Sequence, residues 1–399
     1  MLLDWRVAVE DDPQLIGCLP LLRMANSGVD LQVLAGRLLE RASRNDRAAE
    51  ALMDLAWLFL ITGKEEIACS TQALALKLRQ LYRLSTGSSD RSLRLLVIMT
   101  PGDYLANTPV ECLLEGADVT LDVLFLGPGL PFPEPWPGHD VIFMAFRGTE
   151  EHRPLIQQLE ERLTWHPQPV VNAPGRLPLL ARDELSALLA SVPGVLVPPT
   201  GRIDRPGLLA LATQEAAFPI LVRPLGSHRG QDLAKLDDGP AVRQYLASTP
   251  GEAFFLSRFI DYRSQDGMFR KVRIVLIGGH PYAVHLAISG HWMVNYINAH
   301  MEESLEKRAE EADFLARFEK GFGLRHATAL QAIHDRLGLD YVVSDCAELP
   351  DGRLLLFEAD NAAMVHSNDH AEVFPYKQAQ MQKVFAAFRG LLSRAAVGG

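Results

Sequence analysis

The sequence predicts a protein of α/β plus α+β class, made of a small parallel α/β domain and a larger α+β domain, preceded by an all-helical region. Three observations carry this. Up to about residue 88 the apolar residues recur at helical spacing. After the small, polar stretch STGSSDRS (85–92), short apolar runs alternate with helical segments, the pattern of a parallel sheet. From about Pro199 the runs are joined by tight turns, the pattern of antiparallel sheet.

In the first region Leu31, Leu34, Leu38 and Leu39 share one helical face, and Leu52, Leu55, Phe59 and Leu60 another. Gly63 and Lys64 mark a turn, and a third helix is expected from about Glu65 to Tyr82. Leu52, Leu55, Ala56, Phe59, Gly63, Ala68 and Ala75 resemble one tetratricopeptide repeat, with Gln72 where a large apolar residue is usual. One repeat does not bury its own face, so these helices are expected to cap the rest of the chain or to dock a peptide. The domains are placed at 1–88, 93–200 and 201–395.

RLLVIM (94–99), VTLDVLFLG (119–127), HDVIFMAF (139–146) and VVNAP (170–174) read as strands, with a helix at about Glu150–Leu163. Beyond Pro199, FPILVRPL (218–225) and AFFLSRFI (253–260) read as strands, and RKVRIVLIGGHPYAVHLAI (270–288) as a hairpin turning at GGHP. A charged helix is expected at about Glu302–Phe318 and a shorter one at 328–338. The strands YVVSDCAEL and RLLLFEAD follow, joined by the turn PDG.

Composition narrows the function. With 48% hydrophobic and 22% charged residues, the chain reads as a soluble globular protein. Cys18, Cys69, Cys112 and Cys346 show no CxxC spacing, which argues for a reducing compartment over a disulfide framework or zinc cluster. MLLDWRVAVEDDP lacks the basic-plus-apolar form of a signal peptide, and Asp54 interrupts the longest apolar run, ALMDLAWLFLIT. A cytoplasmic protein with no membrane partner is expected. The net charge of −10, with no basic stripe, speaks against a nucleic-acid partner. Whether the chain is a homo-oligomer is left open.

Three groups of residues carry chemistry. Asp345 ends the strand YVVSD, while Glu358, Asp360 and Asn361 end the next one, so oxygen donors from paired strands can hold Mg²⁺. The competing reading is the wet face of an acidic hairpin. Arg223 ends a strand and leads into a loop with Gly226, Ser227, His228 and Gly230, whose free N–H groups suit phosphates. On the hairpin, alternation puts Lys271 and Arg273 on one face, able to clamp a triphosphate or a carboxylate, with Arg270 beside them.

In this order the elements resemble the ATP-grasp superfamily. Within it they look like the carboxylate–amine ligases of the glutathione-synthetase and ribosomal-protein-glutamate-ligase type, over roughly residues 93–390. The lead-in VVNAPGRLPLLARDELSALL, with Asn172 and Arg182–Asp183, fits the same pattern. The resemblance implies an ATP-grasp fold with ATP and Mg²⁺ as cofactors. It places Arg182, Arg223 and Lys271 on the phosphates, with Gly226–Gly230 closing over them. Ser257, Arg258, Phe259 and Ile260 become the adenine hinge, Arg273 and Arg223 the catalytic cations, and Asp345, Glu358, Asp360 and Asn361 the metal ligands. The chain departs from the pattern where Arg223 and Arg182 replace lysines, where the hinge reads Ser257-Arg258, and where Asp360 replaces asparagine.

ISGHWMVNYINAHM (288–301) fits no nucleotide role. Near it His285, Trp292 and Asn295, with His366 past the last strand, form a candidate substrate pocket, although each histidine taken singly reads as structural. The implied activity is an ATP-dependent carboxylate–amine ligase acting through an acyl phosphate on a small molecule or peptide. The alternatives are a kinase that stops at the phosphorylated product, or a non-catalytic, nucleotide-gated peptide-binding protein.

Overall fold

The computed structural model describes residues 15–43, 48–85, 92–103, 106–214, 218–227, 230–296 and 298–398. The chain forms two compact units. The first comprises Met1–Pro178, Leu339–Tyr341 and Asp360–Gly399, and the second Leu179–Gly338 and Val342–Ala359. Helices, a largely parallel sheet and antiparallel sheet follow one another as expected. Among the described residues, no helix is long and apolar enough to cross a membrane.

Among the described residues, the first unit opens with helices Cys18–Asn26, Leu31–Ala42, Ala48–Ile61 and Glu65–Leu78. Asp30 starts the second by accepting the Gln32 and Val33 N–H groups. The leucine stripes meet in a core of Leu21, Met24, Leu34, Leu38, Leu55 and Leu58, while Leu39 points outward. Gln72 is buried because its side-chain oxygen accepts the Gly102 N–H at 2.9 Å.

Asp54 interrupts its apolar run for a similar reason. The helix Cys18–Asn26 has no side-chain cap of its own at Gly17. Asp54 instead accepts the Ile16 and Gly17 N–H groups at 3.0 Å, and Glu111 accepts those of Cys18 (3.0 Å) and Leu19 (2.9 Å). Burial pushes the Asp54 carboxyl up to about 7, against the pull of those hydrogen bonds. A carboxyl raised on folding favours the folded state below the ordinary carboxylate range, and that contribution is lost as pH rises through about 7. The melting temperature is therefore expected to drop between pH 5 and pH 8 by several degrees more in the wild type than in Asp54→Asn. Parallel melting curves check this.

The fourth helix, Glu65–Leu78, stops short of the expected Tyr82 because Arg79 is already extended (φ −157°). Leu81–Ser85 forms strand β1, in which Tyr82 and Leu84 are buried and Arg83 faces out to pair with Asp122 at 2.7 Å. The expected linker falls almost wholly on residues 86–91, outside the described residues. Strands β2 (Leu93–Met99), β3 (Val119–Phe125), β4 (Val141–Met144) and β5 (Val170–Val171) complete a sheet in the order β1-β3-β2-β4-β5. β1 runs antiparallel to β3 and the remaining pairs are parallel. Phe388 of the helix Lys377–Gly398 packs edge-on against Phe143 and Tyr341. Asn172, at φ +61°, exchanges side-chain hydrogen bonds with the Tyr341 backbone at 2.8 Å, so this lead-in residue ties two distant segments together.

The second unit holds two sheets. β7 (Thr200–Asp204), β8 (Ile220–Pro224), β9 (Ala234–Leu236) and β10 (Ala253–Arg258) pair antiparallel in the order β7-β10-β8-β9. One face is sealed by Leu208, Val242 and Tyr245 from two helices, packed on Ile220, Val222, Leu236 and Phe254. The other sheet runs β12-β11-β13-β14-β6, with β6 at Val195–Leu196, β11 at Phe269–Ile277, β12 at His280–Ser289, β13 at Tyr341–Glu348 and β14 at Leu354–Asp360. A bulge interrupts the β11–β12 pairing between Arg273 and Ile274.

Candidate functional site

One face of the second sheet collects charge. Alternation along β11 aims Lys271 and Arg273 the same way, toward Asp345 on the neighbouring β13. Lys271 Nζ lies 2.8 Å from one Asp345 oxygen, and Arg273 donates to both oxygens at 2.8 and 3.0 Å. The Asp345 side chain is only 2% exposed. Burial opposes its ionisation, but Arg273 and Lys271 outweigh this and hold the carboxyl well below the ordinary range.

Glu358, on the next strand, pairs with Arg182 at the start of the helix Arg182–Leu189. Burial opposes its ionisation too. Arg182, Lys271 and Arg223 together outweigh both burial and the charge of Asp345, so this carboxyl is also held low. Six groups therefore feel one another: the cations Arg182, Arg223, Lys271 and Arg273 against the carboxylates Asp345 and Glu358. The excess of two positive charges is what an incoming polyphosphate or carboxylate needs.

Arg223 stands on β8, on the face opposite the packed helices, and is 7% exposed. It donates to the Ser227 hydroxyl at 3.1 Å and to the Ser227 carbonyl, which latches the glycine loop to the strand. Gly226 (φ +79°) and Gly230 (φ +76°) supply backbone that other residues rarely adopt. His228 lies outside the described residues. In the expected hinge, Ser257 pairs with Leu221 and Thr200, and Arg258 with Ile220. The Phe259 N–H goes to the Pro219 carbonyl at 3.1 Å, and Ile260 follows half-buried.

The expected substrate residues divide. The Trp292 ring meets Phe259 at 5.8 Å, and its carbonyl accepts the Tyr262 hydroxyl at 2.6 Å. Asn295 closes a turn with Asn298, each side-chain oxygen accepting the other's N–H at 2.8 Å. His285 stands opposite Arg273 on β12. His366 belongs to the first unit, where its Nδ1 accepts the Asn368 N–H at 3.0 Å.

Two expected metal ligands, Asp360 and Asn361, also belong to the first unit. Asp360 pairs with Arg147 and caps the Ala362 N–H at 2.8 Å. Asn361 is fully buried and donates to the Phe146 carbonyl at 2.9 Å. Among the described residues no three His, Cys, Asp or Glu side chains gather as a metal-holding group. Within the second unit Asp345 and Glu358 are neighbours, and two carboxylates plus phosphate and water oxygens are a donor set that Mg²⁺ accepts.

The sequence reading missed three residues. Lys235 on β9 is paired with Leu221, so it shares the face of Arg223, and it lies over the Phe259 ring at 4.8 Å. Its place in a short alternating strand was the available signal. Tyr296 lies in the stretch 288–301 already singled out, whereas Glu311, joined to it by a hydrogen bond of 2.8 Å, gave no signal.

No family model matches the sequence. No curated protein matches it in sequence either. Among solved structures, the chain is similar to a RimK domain ATP-grasp protein from Sphaerobacter thermophilus, with 18% identity, TM-score 0.44, and coverage of 76% of this chain and 100% of that one. It is also similar to the D-alanine–D-alanine ligase of Bacillus anthracis complexed with ATP, with 14% identity, TM-score 0.47, and coverage of 77% and 99%. A third is the VanG D-Ala:D-Ser ligase of Enterococcus faecalis, with 12% identity, TM-score 0.47, and coverage of 76% and 100%.

Proposed function

We propose that this protein is an ATP-dependent carboxylate–amine ligase acting on a small molecule or peptide. The observation that supports it most is the set of four cations around Asp345 and Glu358 in the second unit. In this reading ATP's γ-phosphate passes to a substrate carboxylate, and an amine then displaces phosphate from the acyl phosphate. Phosphoryl transfer needs positioning and neutralisation of charge more than a protein nucleophile. Arg223 and Lys271 hold the phosphates and Arg273 faces the group in transfer. Arg223 is positioned to exchange the Ser227 carbonyl for a phosphate oxygen, so the latch on the glycine loop becomes a clamp on the ligand. Asp345 and Glu358 would hold Mg²⁺ together with phosphate oxygens, and the ion would supply neutralisation of the developing charge.

The test is ADP release measured across amino acids and short peptides. Release is expected only when a suitable carboxylate is present, and to cease in EDTA. ADP formed at the same rate with no added carboxylate would refute the ligase reading.

A further inference from the structure

His285 lies on the charged face of the second sheet. It is directly opposite Arg273 across the β11–β12 ladder, and facing residues point to the same side. The bulge beside Arg273 sits at this place, and bulges re-aim side chains. From Ala283 to Ser289, His285 alone is not buried.

The ring is backed by a chain of polar groups that rounds the edge of the sheet. Tyr296 packs on His285 with ring centroids 4.6 Å apart, and its hydroxyl donates to Glu311 at 2.8 Å. Glu311, on the helix Leu305–Arg317, is fully buried, and its second oxygen accepts the Leu286 N–H on β12 at 3.1 Å. The neighbouring charges on that helix are engaged elsewhere. Lys307 donates to the Ala299 carbonyl at 2.6 Å, Arg308 to that of Met301 at 3.1 Å, and Glu310 pairs with Arg270. Among the described residues, the charged groups facing His285 include Arg273 and Lys271 on β11 and Glu311 behind Tyr296.

We propose that His285 is the proton acceptor for the incoming amine, with Tyr296 and Glu311 as positioning residues. The proposal rests on the ligase reading. An ammonium group has no lone pair for attack, so one proton must first leave. The neutral imidazole takes it, the C–N bond forms, the acyl C–O bond to phosphate breaks, and the departing phosphate carries off the second amine proton. The imidazolium then releases its proton to solvent. Histidine suits this because its charge changes near neutral pH.

The test compares two nucleophiles in the full-length protein, using the first carboxylate that supports ADP release. Hydroxylamine is uncharged at neutral pH and needs no proton removed before it attacks. In His285→Gln, turnover with an ammonium-bearing acceptor is expected to fall about 100-fold at pH 7, whereas turnover with hydroxylamine stays within about threefold of wild type. Equal losses with both nucleophiles, or no loss with the amine, would overturn the assignment. NMR titration of the His285 imidazole needs no substrate and so separates this proposal from the ligase reading. Tyr296→Phe is expected to move its midpoint by at least about half a pH unit. An unmoved midpoint in a folded variant rejects the positioning role, even if no carboxylate ever releases ADP.

Discussion

Glu358→Gln is expected to lower turnover by at least about 100-fold while leaving the protein folded. The side chain sits between Arg182 and the charge of Asp345 and is held ionised. Glutamine keeps its size and its capacity to accept a hydrogen bond from Arg182, but removes the negative charge. Because the side chain is 36% exposed, stability should shift by no more than about 1 kcal/mol. Steady-state ADP release and a melting curve on the same sample measure both effects. A variant keeping more than about a tenth of wild-type turnover has lost under about 1.4 kcal/mol of transition-state stabilisation. That result would remove Glu358 from the reacting site.

Asp345→Asn is expected to act on stability as strongly as on function. The substitution leaves Lys271 and Arg273 facing a neutral amide in the interior of the sheet. Removing one partner of a buried ion pair costs about 3–5 kcal/mol, and the partial exposure of both cations (15% and 20%) brings the expected loss to about 2–3 kcal/mol. The pH dependence has a definite sign. A carboxyl lowered on folding contributes stability above the ordinary carboxylate range and loses it as pH falls through the folded value. The gap between wild type and variant should hold steady from pH 6 to pH 8 and narrow only below about pH 4, read from denaturant titrations. A gap absent at pH 7 would show that the ion pair adds nothing to the fold.

The parts that were legible in the sequence are those where cause and effect lie close along the chain. The hairpin of β11 and β12 is announced by Gly278-Gly279 between alternating runs, and alternation places Lys271 and Arg273 on one face. The short turn at Pro350–Gly352 likewise brings Asp345 and Glu358 onto adjacent strands. What escaped depends on distant partners. Nothing around Leu81 reveals that its ladder partner is Leu124, and Leu74, Leu78 and Tyr82 keep a helical rhythm that strand pairing overrides. Asp54 is visibly odd in its run, but its partners Ile16 and Gly17 lie 38 and 37 residues away. Asp360 is expected as a metal ligand, and its ion pair with Arg147, 213 residues upstream, is legible only in the fold.

Strand β1 changes how separable the front of this chain is. The four described helices look like an appendage that evolution or an experimenter could exchange at the polar stretch after Ser85. Yet β1 lies on the near side of that stretch and supplies the antiparallel neighbour of β3. A cut there removes a plank of the sheet along with the helices and leaves the backbone of β3 bare, an invitation to chain-to-chain association. The natural seam lies earlier, at Arg79–Gln80, where the helix ends and the strand has not begun. A homologue that exchanged its helices while keeping this sheet would have to preserve Leu81–Ser85 with the part it retained.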